Sequence, residues 1–288
     1  MIVVVGSANR DLTTQVERHP LPGETVVARR MRESHGGKGA NQAVAAARLG
    51  QSVLFVGAVG DDSGADDLVG ELVAEGVDTS VVSRIEGPSG TAFITLADNA
   101  ENSIVVVPGA NGMLEISPAQ SAMIATADVV LAQCEVPVDA LETARNAASG
   151  IFVLNAAPAI RLPPSLIASV DVLVVNQHEL VSLAGGTDPQ SARSLGCATV
   201  VVTLGADGAQ IVTTSDIGYV PAPDVAVRDT TGAGDAFCGA FASALSDGRD
   251  VFEASAWGVA AGSHATTIVG ARSGPNRARL ESLLRRNT

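Results

Sequence analysis

Aromatic side chains are scarce in this 288-residue chain, with six Phe, one Tyr and one Trp making up 3% of it. Any core must therefore be aliphatic, built mostly from Val, Ala and Leu, and a hydrophobic content of 46% is enough for a large one. Basic residues are also few. Lys and Arg total 18 against 31 Asp and Glu, and the net charge of −13 argues against a nucleic-acid or anionic-membrane surface. Cys134, Cys197 and Cys238 are widely spaced in apolar segments. They show neither metal-ligand spacing nor a disulfide framework, which suits a reducing cytoplasm. No basic stretch precedes Ile2-Val3-Val4-Val5, so no signal peptide is expected. Residues 254–271 carry no charge but contain Ser255, Ser263, His264, Thr266, Thr267 and three glycines, so they read as a buried helix and loop rather than a membrane span. Repeats of solenoid period, low-complexity linkers and compositional breaks are absent, and a single domain over 1–288 is expected.

Two glycine-rich stretches stand out against this background. Asp229-Thr230-Thr231-Gly232-Ala233-Gly234-Asp235-Ala236-Phe237 reads as a loop turning into an uncharged helix. The amides of Gly232, Ala233 and Gly234 then lie at a helix N-terminus, where unpaired donors and the macrodipole favour an anion. Asp235 stands in the same place, able to take a proton. Donors for an anion beside a base equip a site for phosphoryl transfer to an alcohol, although this segment alone equally serves as a simple helix cap. Upstream, Gly36-Gly37-Lys38-Gly39-Ala40-Asn41-Gln42 opens a second helix that Gly50 can end. The spacing is not that of a P-loop, G-x-x-x-x-G-K-[ST]. Its glycines permit close backbone approach, and Lys38 and Asn41 can hydrogen-bond a polyhydroxylated ligand.

The remaining text has a βα rhythm. Strands are expected at 2–7, 53–59, 129–131, 151–154, 172–175 and 199–203, with helices at 65–75, 138–148, 164–169, 178–184 and 191–195. That alternation argues a parallel, doubly wound sheet with helices on both faces. Residues 209–213 and 218–221 read as an antiparallel hairpin at one edge. Asn9 and Asp11 follow the first strand at its carboxyl end, where ligands of open α/β sheets sit. Position alone favours an ordinary turn there. Two excursions interrupt the rhythm. His19-Pro20-Leu21-Pro22-Gly23 is a turn followed by a strand at 25–28. Residues 91–96 and 104–107 form a hairpin signal around a polar turn at 98–102. These excursions, roughly 12–35 and 88–107, are expected to pair as a small β-sheet over the site.

Taken together, the chain resembles the ribokinase, or PfkB, family of carbohydrate kinases over nearly its whole length. Gly36 to Gln42 is similar to the family's N-terminal signature in its ribokinase-like form, and Asp229 to Phe237 to the C-terminal one. Asn176-Gln177-His178-Glu179 resembles the N-x-x-E motif, and Asn9-Arg10-Asp11 the N-x-D sugar pattern. The resemblance implies a three-layer α/β/α fold with a mostly parallel central sheet and a small β-sheet lid. It implies that Asp235 is the catalytic base and that Gly232, Ala233 and Gly234 form an anion hole. Asn9, Asp11, Gly37, Lys38, Asn41, Glu135 and Asp235 would bind the sugar, Glu135 through the loosely matching Gln133-Cys134-Glu135-Val136-Pro137. ATP would meet Asn176, Thr203, Gly205, Gly208 and the anion-hole residues. Asn176 and Glu179 would organise Mg²⁺ through water. A K⁺ ion would be held by Asp229 and Thr231, closed by carbonyls around Ala265, Gly270 and Gly274. The family also implies a cytoplasmic homodimer joined through the lid.

The function implied is ATP-dependent phosphorylation of a pentose, foremost D-ribose to D-ribose 5-phosphate. Deoxyribose, a nucleoside such as adenosine, or a ketose are alternative substrates. The scarcity of aromatics speaks against stacking a nucleoside base. A non-catalytic sugar sensor would have no need of Asp235 or of Asn176 and Glu179. A dinucleotide-dependent oxidoreductase would show G-x-G-x-x-G after the first strand, which is missing here.

Overall fold

The computed structural model describes residues 1–99 and 101–285; Ala100, within the polar turn expected at 98–102, and residues 286–288 lie outside the described residues. The chain begins with β1 (Ile2–Val5), β2 (Asn9–Val16), β3 (Arg30–Gly36), α1 (Lys38–Arg48), β4 (Val53–Val56), β5 (Ala58–Val59) and α2 (Ala65–Ala74). Next come β6 (Ser83–Arg84), β7 (Gly90–Ala97), β8 (Asn102–Val107), α3 (Pro118–Ile124), β9 (Val129–Gln133), α4 (Val138–Ala147), β10 (Ile151–Asn155) and α5 (Pro164–Ser169). They are followed by β11 (Val172–Asn176), α6 (Gln177–Ala184), α7 (Pro189–Ser194), β12 (Thr199–Thr203), β13 (Ala209–Thr213) and β14 (Ile217–Val220). Three helices complete the chain: α8 (Ala233–Ser246), α9 (Val251–Ala265) and α10 (Arg277–Leu284).

Eight strands form the central sheet in the order β14-β13-β12-β11-β10-β9-β1-β4. It is parallel from β4 to β12, and the antiparallel β13–β14 hairpin closes the far edge. Strands buried on both faces read as continuous aliphatic runs, as in IVVV of β1 and VVLAQ of β9. The pleat sends Ile2 and Val4 to one face, where they pack with Phe237, Phe241 and Trp257 of α8 and α9. Val3 and Val5 point to the other, against Leu141 of α4, Leu166 of α5 and Leu180 of α6. The result is the expected three-layer α/β/α arrangement. The first strand lies inside the sheet between β4 and β9, so the chain reverses its direction of winding there and leaves a crevice at the strands' carboxyl ends.

A separate four-stranded sheet, β3-β2-β7-β8, stands over that crevice. It differs from expectation in two places. Asn9 and Asp11 belong to its second strand, β2, rather than to a turn, and Asn9 is flanked by Gly36 and Gly90. No strand forms at 25–28; the strand is β3, whose Gly36 pairs with Asn9 two residues before α1 begins at Lys38. Gln15 pairs with Arg30 near the end of β2, the Arg29 amide adds one last bond to the Gln15 carbonyl at 2.8 Å, and Val27 beyond it is 89% exposed. The single strand expected at 53–59 is two: β4 follows β1, while β5 breaks away at Gly57 to pair with β6. Helices α3 and α10 add to the expected set, α3 being opened by a Ser117–Gln120 capping box.

Candidate active site

Helix α8 begins at Gly232, whose φ of +75° is a left-handed conformation, and a Cβ there would lie 2.0 Å from the carbonyl of Ala271. Only glycine fits both constraints. Three residues later Asp235 sits in the first helical turn with 8% of its surface exposed. Helix α1 runs alongside, brought close because Gly239 of α8 has no side chain to meet Gln42 and Ala45. From α1, Asn41 donates Nδ2–H to Asp235 Oδ2 at 3.1 Å, and Gln42 donates Nε2–H to Oδ1 at 3.0 Å. Burial pushes the Asp235 carboxyl above its ordinary range, while the Lys38 charge and the two amide donors pull the other way. The Ala233 amide donates to the Thr230 carbonyl at 3.2 Å. Gly232 and Gly234 have no protein acceptor among the described residues and line the cavity beside Asp235.

That cavity, of about 220 Å³, is polar and is bordered by Lys38, Asn176, Glu179, Thr203, Gly234 and Asp235 among others. Lys38 is the only lysine in the chain. Burial works against its charge, but Asp235, Glu135 and Glu179 together hold its pKa above the ordinary value. Asn176 and Glu179 form a reciprocal capping box on α6: Glu179 N–H donates to Asn176 Oδ1 and Asn176 N–H to Glu179 Oε2, both at 2.8 Å. The second carboxylate oxygen, Oε1, accepts no hydrogen bond among the described residues, and Glu179 borders the cavity. A second cavity of about 430 Å³ shares Thr203, Thr230 and Gly234 with the first. Val225, Val227, Phe237 and Val259 give it apolar walls, and Gly205 and Gly208 floor it. Its size and apolarity suit a planar heterocycle, and the polar cavity next to it suits phosphates. A broad surface depression of about 920 Å³ lies at the opposite, amino ends of β9 to β12 and touches none of these groups.

On the other side of Asp235 stand the sugar candidates. Gly37, with φ +87°, approaches Ala8 so closely that a Cβ would lie 2.8 Å from its Cα. Glu135 Oε2 accepts from the Ser7 hydroxyl and from the Lys38 amide at 2.9 Å, so it pins the glycine loop to the end of β1. Asn9 Oδ1 accepts from Asn111 Nδ2 at 2.8 Å, and Asn111 in turn is tied to the backbone of Ala8. Arg272 donates Nε–H to Asn41 Oδ1 at 3.1 Å, which turns the Asn41 amine toward Asp235. Asp11 lies against Gly36, where a Cβ would meet its carboxylate at 2.0 Å. Burial, then repulsion from Glu135 and Asp235, against the attraction of Arg272, raise its pKa to about 7.

The cation candidates lie where two loops touch. Asp229 Oδ1 accepts from the Thr231 amide at 2.9 Å and Oδ2 from the Gly270 amide at 2.8 Å. Burial opposes its ionisation, but the Thr231 hydroxyl and amide, the Gly270 amide and Arg32 hold its pKa below the usual range. The carbonyls of Ala265 and Gly270 each accept one hydrogen bond, from Ile268 N–H and Ser273 Oγ–H, and keep a second lone pair. Gly274 sits beside Ala236 of α8. No group of three or more His, Cys, Asp or Glu that could hold a metal occurs among the described residues, so a metal here would draw on carbonyls, water or phosphate oxygens.

A family model described as pfkB family carbohydrate kinase matches residues 1–279. The chain belongs to this family. It is 38% identical over 287 residues to a ribokinase of Haemophilus influenzae, with 94% of each protein covered. It is 39% identical over 269 residues to a deoxyribokinase of Salmonella typhi, with 87% of each covered. Its fold matches that of Arabidopsis thaliana ribokinase, a structure complexed with ribose and ATP, at a TM-score of 0.89, with 32% identity and 98% of each chain covered. The protein is thus a carbohydrate kinase of the pfkB family. No helix among the described residues is long and apolar enough to cross a membrane.

Several groups of this pfkB site escaped the sequence reading. Asn111, Asn155, Gln133, Arg272 and the apolar wall from Ala222 to Val227 carry no motif of their own. A signal existed for two of them: Gln133 and Asn155 are polar residues closing otherwise apolar strands, at carboxyl ends that face the crevice.

Proposed function

We propose that the protein transfers the γ-phosphoryl group of ATP to a hydroxyl of a free pentose, foremost D-ribose to D-ribose 5-phosphate. The observation that carries this reading is the position of Asp235, a buried carboxylate with the polyol-binding candidates Asp11, Asn9 and Asn41 on one side and the glycine-walled polar cavity on the other. Holding a sugar hydroxyl beside Asp235 and in line with the phosphoryl group makes the reaction effectively unimolecular, worth about 7–11 kcal/mol. The transfer is largely dissociative, so Asp235 takes the proton late, as the sugar oxygen becomes acidic. Gly232 and Gly234 offer amides to the charge on the transferred group, with the Ala233 region of the helix end behind them. Lys38 would neutralise phosphoryl oxygens as well as meet the sugar. Glu179 and Asn176 would hold a hydrated Mg²⁺ that neutralises phosphate charge, and Asp229, Thr231, Ala265, Gly270 and Gly274 would hold K⁺. The small sheet would cover the sugar and exclude water.

We further read the protein as a cytoplasmic homodimer paired through that sheet, one domain in all over 1–288. The three cysteines are free and buried, as suits a reducing compartment. Identity to a protein named deoxyribokinase keeps 2-deoxyribose as the second substrate. A panel of ribose, 2-deoxyribose, ketoses and nucleosides in a coupled ADP-release assay tests the reading. Ribose should give the highest kcat/KM. Faster turnover of a nucleoside or ketose would replace ribose as the substrate, and no ADP release with any of them would return the chain to the sensor class.

A further inference from the structure

Asp235 is held by more than its two immediate donors. Gln42 is 0% exposed, so it can touch neither sugar nor nucleotide, yet both of its amide N–H donors and one lone pair of its oxygen are engaged. Its Nε2 donates to Asn155 Oδ1 and to Asp235 Oδ1, both at 3.0 Å, and its Oε1 accepts from Gln133 Nε2 at 2.7 Å. Asn155 donates Nδ2–H to the carbonyl of Val174 at 3.2 Å. A backbone carbonyl cannot become a donor, so β11 dictates which way Asn155 faces. Asn155 Oδ1 must then face Gln42, which turns the Gln42 amine toward Asp235 and its oxygen toward Gln133. Reversing Gln42 would set an oxygen against two acceptors. Gln133, also 0% exposed, closes the chain in a space so tight that a Cβ on Gly6 would lie 2.0 Å from its Oε1.

We propose that Gln42 is a positioning residue for the phosphoryl transfer: the chain Val174–Asn155–Gln42–Gln133 fixes both the rotation and the negative charge of the Asp235 carboxylate from the central sheet outward. The directionality of the amides is the core of the case. A donor aimed at Asp235 Oδ1 favours the carboxylate, because an oxygen that carries the carboxyl proton is a far weaker acceptor. The proposal rests on the reading of Asp235 as the base, and it adds a residue with no access to either substrate.

Gln42→Met keeps size and removes both amide functions. It should lower kcat about 10- to 100-fold, the range spanned by one hydrogen bond to an ionised group, with KM for ribose and ATP within about threefold of wild type. Gln42→Glu is the closer isostere and still accepts from Gln133, but it faces Asp235 with an acceptor. A packing role makes Glu milder than Met, whereas the proposal makes Glu worse at pH 8. The acidic limb of kcat should also move to higher pH in Gln42→Met, because a lost donor raises the Asp235 pKa. The charged and titratable groups facing Asp235 stay in place: Lys38 on α1, Glu135 after β9, Asp11 on β2, Glu179 on α6 and Cys238 on α8. Gln133→Met, which leaves both Asp235 donors intact, should give the same pattern more weakly and serves if Gln42→Met fails to fold. Wild-type kcat in a folded Gln42→Met, an effect on KM alone, or Glu milder than Met would overturn the proposal. Asp235→Asn separates the two readings: if it retains turnover, the base assignment fails, and if it is inactive while Gln42→Met is normal, only this inference fails.

Discussion

Asp11 carries an electrostatic burden that the sugar would relieve. Its ordinary pKa of 3.8 rises to about 7 through burial and the neighbouring carboxylates Glu135 and Asp235. The folded protein therefore binds more protons than the unfolded one between these values, and stability falls as pH climbs from about 4 to 7. Below that window the carboxyl is neutral in both states and costs nothing. Above it the penalty is complete, on the order of 1–4 kcal/mol. Asp11→Asn should raise the melting temperature of the ligand-free protein at pH 8 and leave it unchanged at pH 4. The same substitution should weaken ribose binding, because the amide offers one acceptor where the carboxylate offers two. In the wild type, KM for ribose should rise as pH falls through 7, and in the variant that slope should vanish. Melting curves and KM between pH 5.5 and 8.5 measure both, and a flat wild-type KM would take Asp11 out of the sugar contact. Cysteines behave differently at this scale: burial pushes the Cys134 thiol to about 12 and Cys197 to about 11, so neither is a ready nucleophile.

At the scale of elements, the loop before α8 and the loop after α9 act as one unit. The backbone of Ala271 packs so close to Gly232 that no side chain fits there, and Asp229 bridges Thr231 to Gly270. A monovalent cation held by Asp229, Thr231 and the carbonyls of Ala265, Gly270 and Gly274 would stiffen the loop that presents the Gly232 and Gly234 amides. Turnover at constant ionic strength should rise when potassium replaces sodium or a bulky organic cation, and Asp229→Ala should abolish that response. Equal activity in all salts would leave Asp229 as the tie between two loops and nothing more. This junction also marks how far the sequence could be read. Strand Thr199–Thr203 and helix Pro164–Ser169 are legible to the residue, because a β-branched run and a proline start are local signals. Strand β2, NRDLTTQV, is not, since a half-exposed strand of a covering sheet needs no apolar run. The glycine loops and Asp235 are local patterns too. Gln133 and Asn155 lie 91 and 113 positions from Gln42, and only the completed sheet brings their amides to it.

At the scale of the whole molecule, the small sheet presents an exposed apolar edge. Its edge strand β8 is exposed along its full length, with Ile104, Val105, Val106 and Val107 each at least 42% exposed. Register places Phe93 opposite Val105 and Ile94 opposite Ile104, so both faces of the edge are apolar. Soluble proteins blunt such edges with charge or cover them, and β8 carries no charge. A second copy is the occupant that the reading as a homodimer supplies. The net charge of −13 would oppose self-association, but Arg10 pairs with Glu33 on this sheet, and Arg18 with Glu24 and Arg29 with Asp98 in the loop and turn beside it. Two such sheets can approach without the repulsion that the rest of the surface carries. Light scattering at about 10 μM protein, above the micromolar Kd that marks the weak end of interfaces of standard size, should give twice the chain mass. Val105→Lys, on the Phe93 face, and Ile104→Lys, on the Ile94 face, tell which side is used. The one that yields monomers marks the interface, because a buried lysine without a partner is costly. If only Ile104→Lys separates the copies and also raises KM for ribose, the partner packs on the face that bears Asp11. If the wild-type protein scatters as a monomer, β8 stays open in solution and each copy would cover its own sugar.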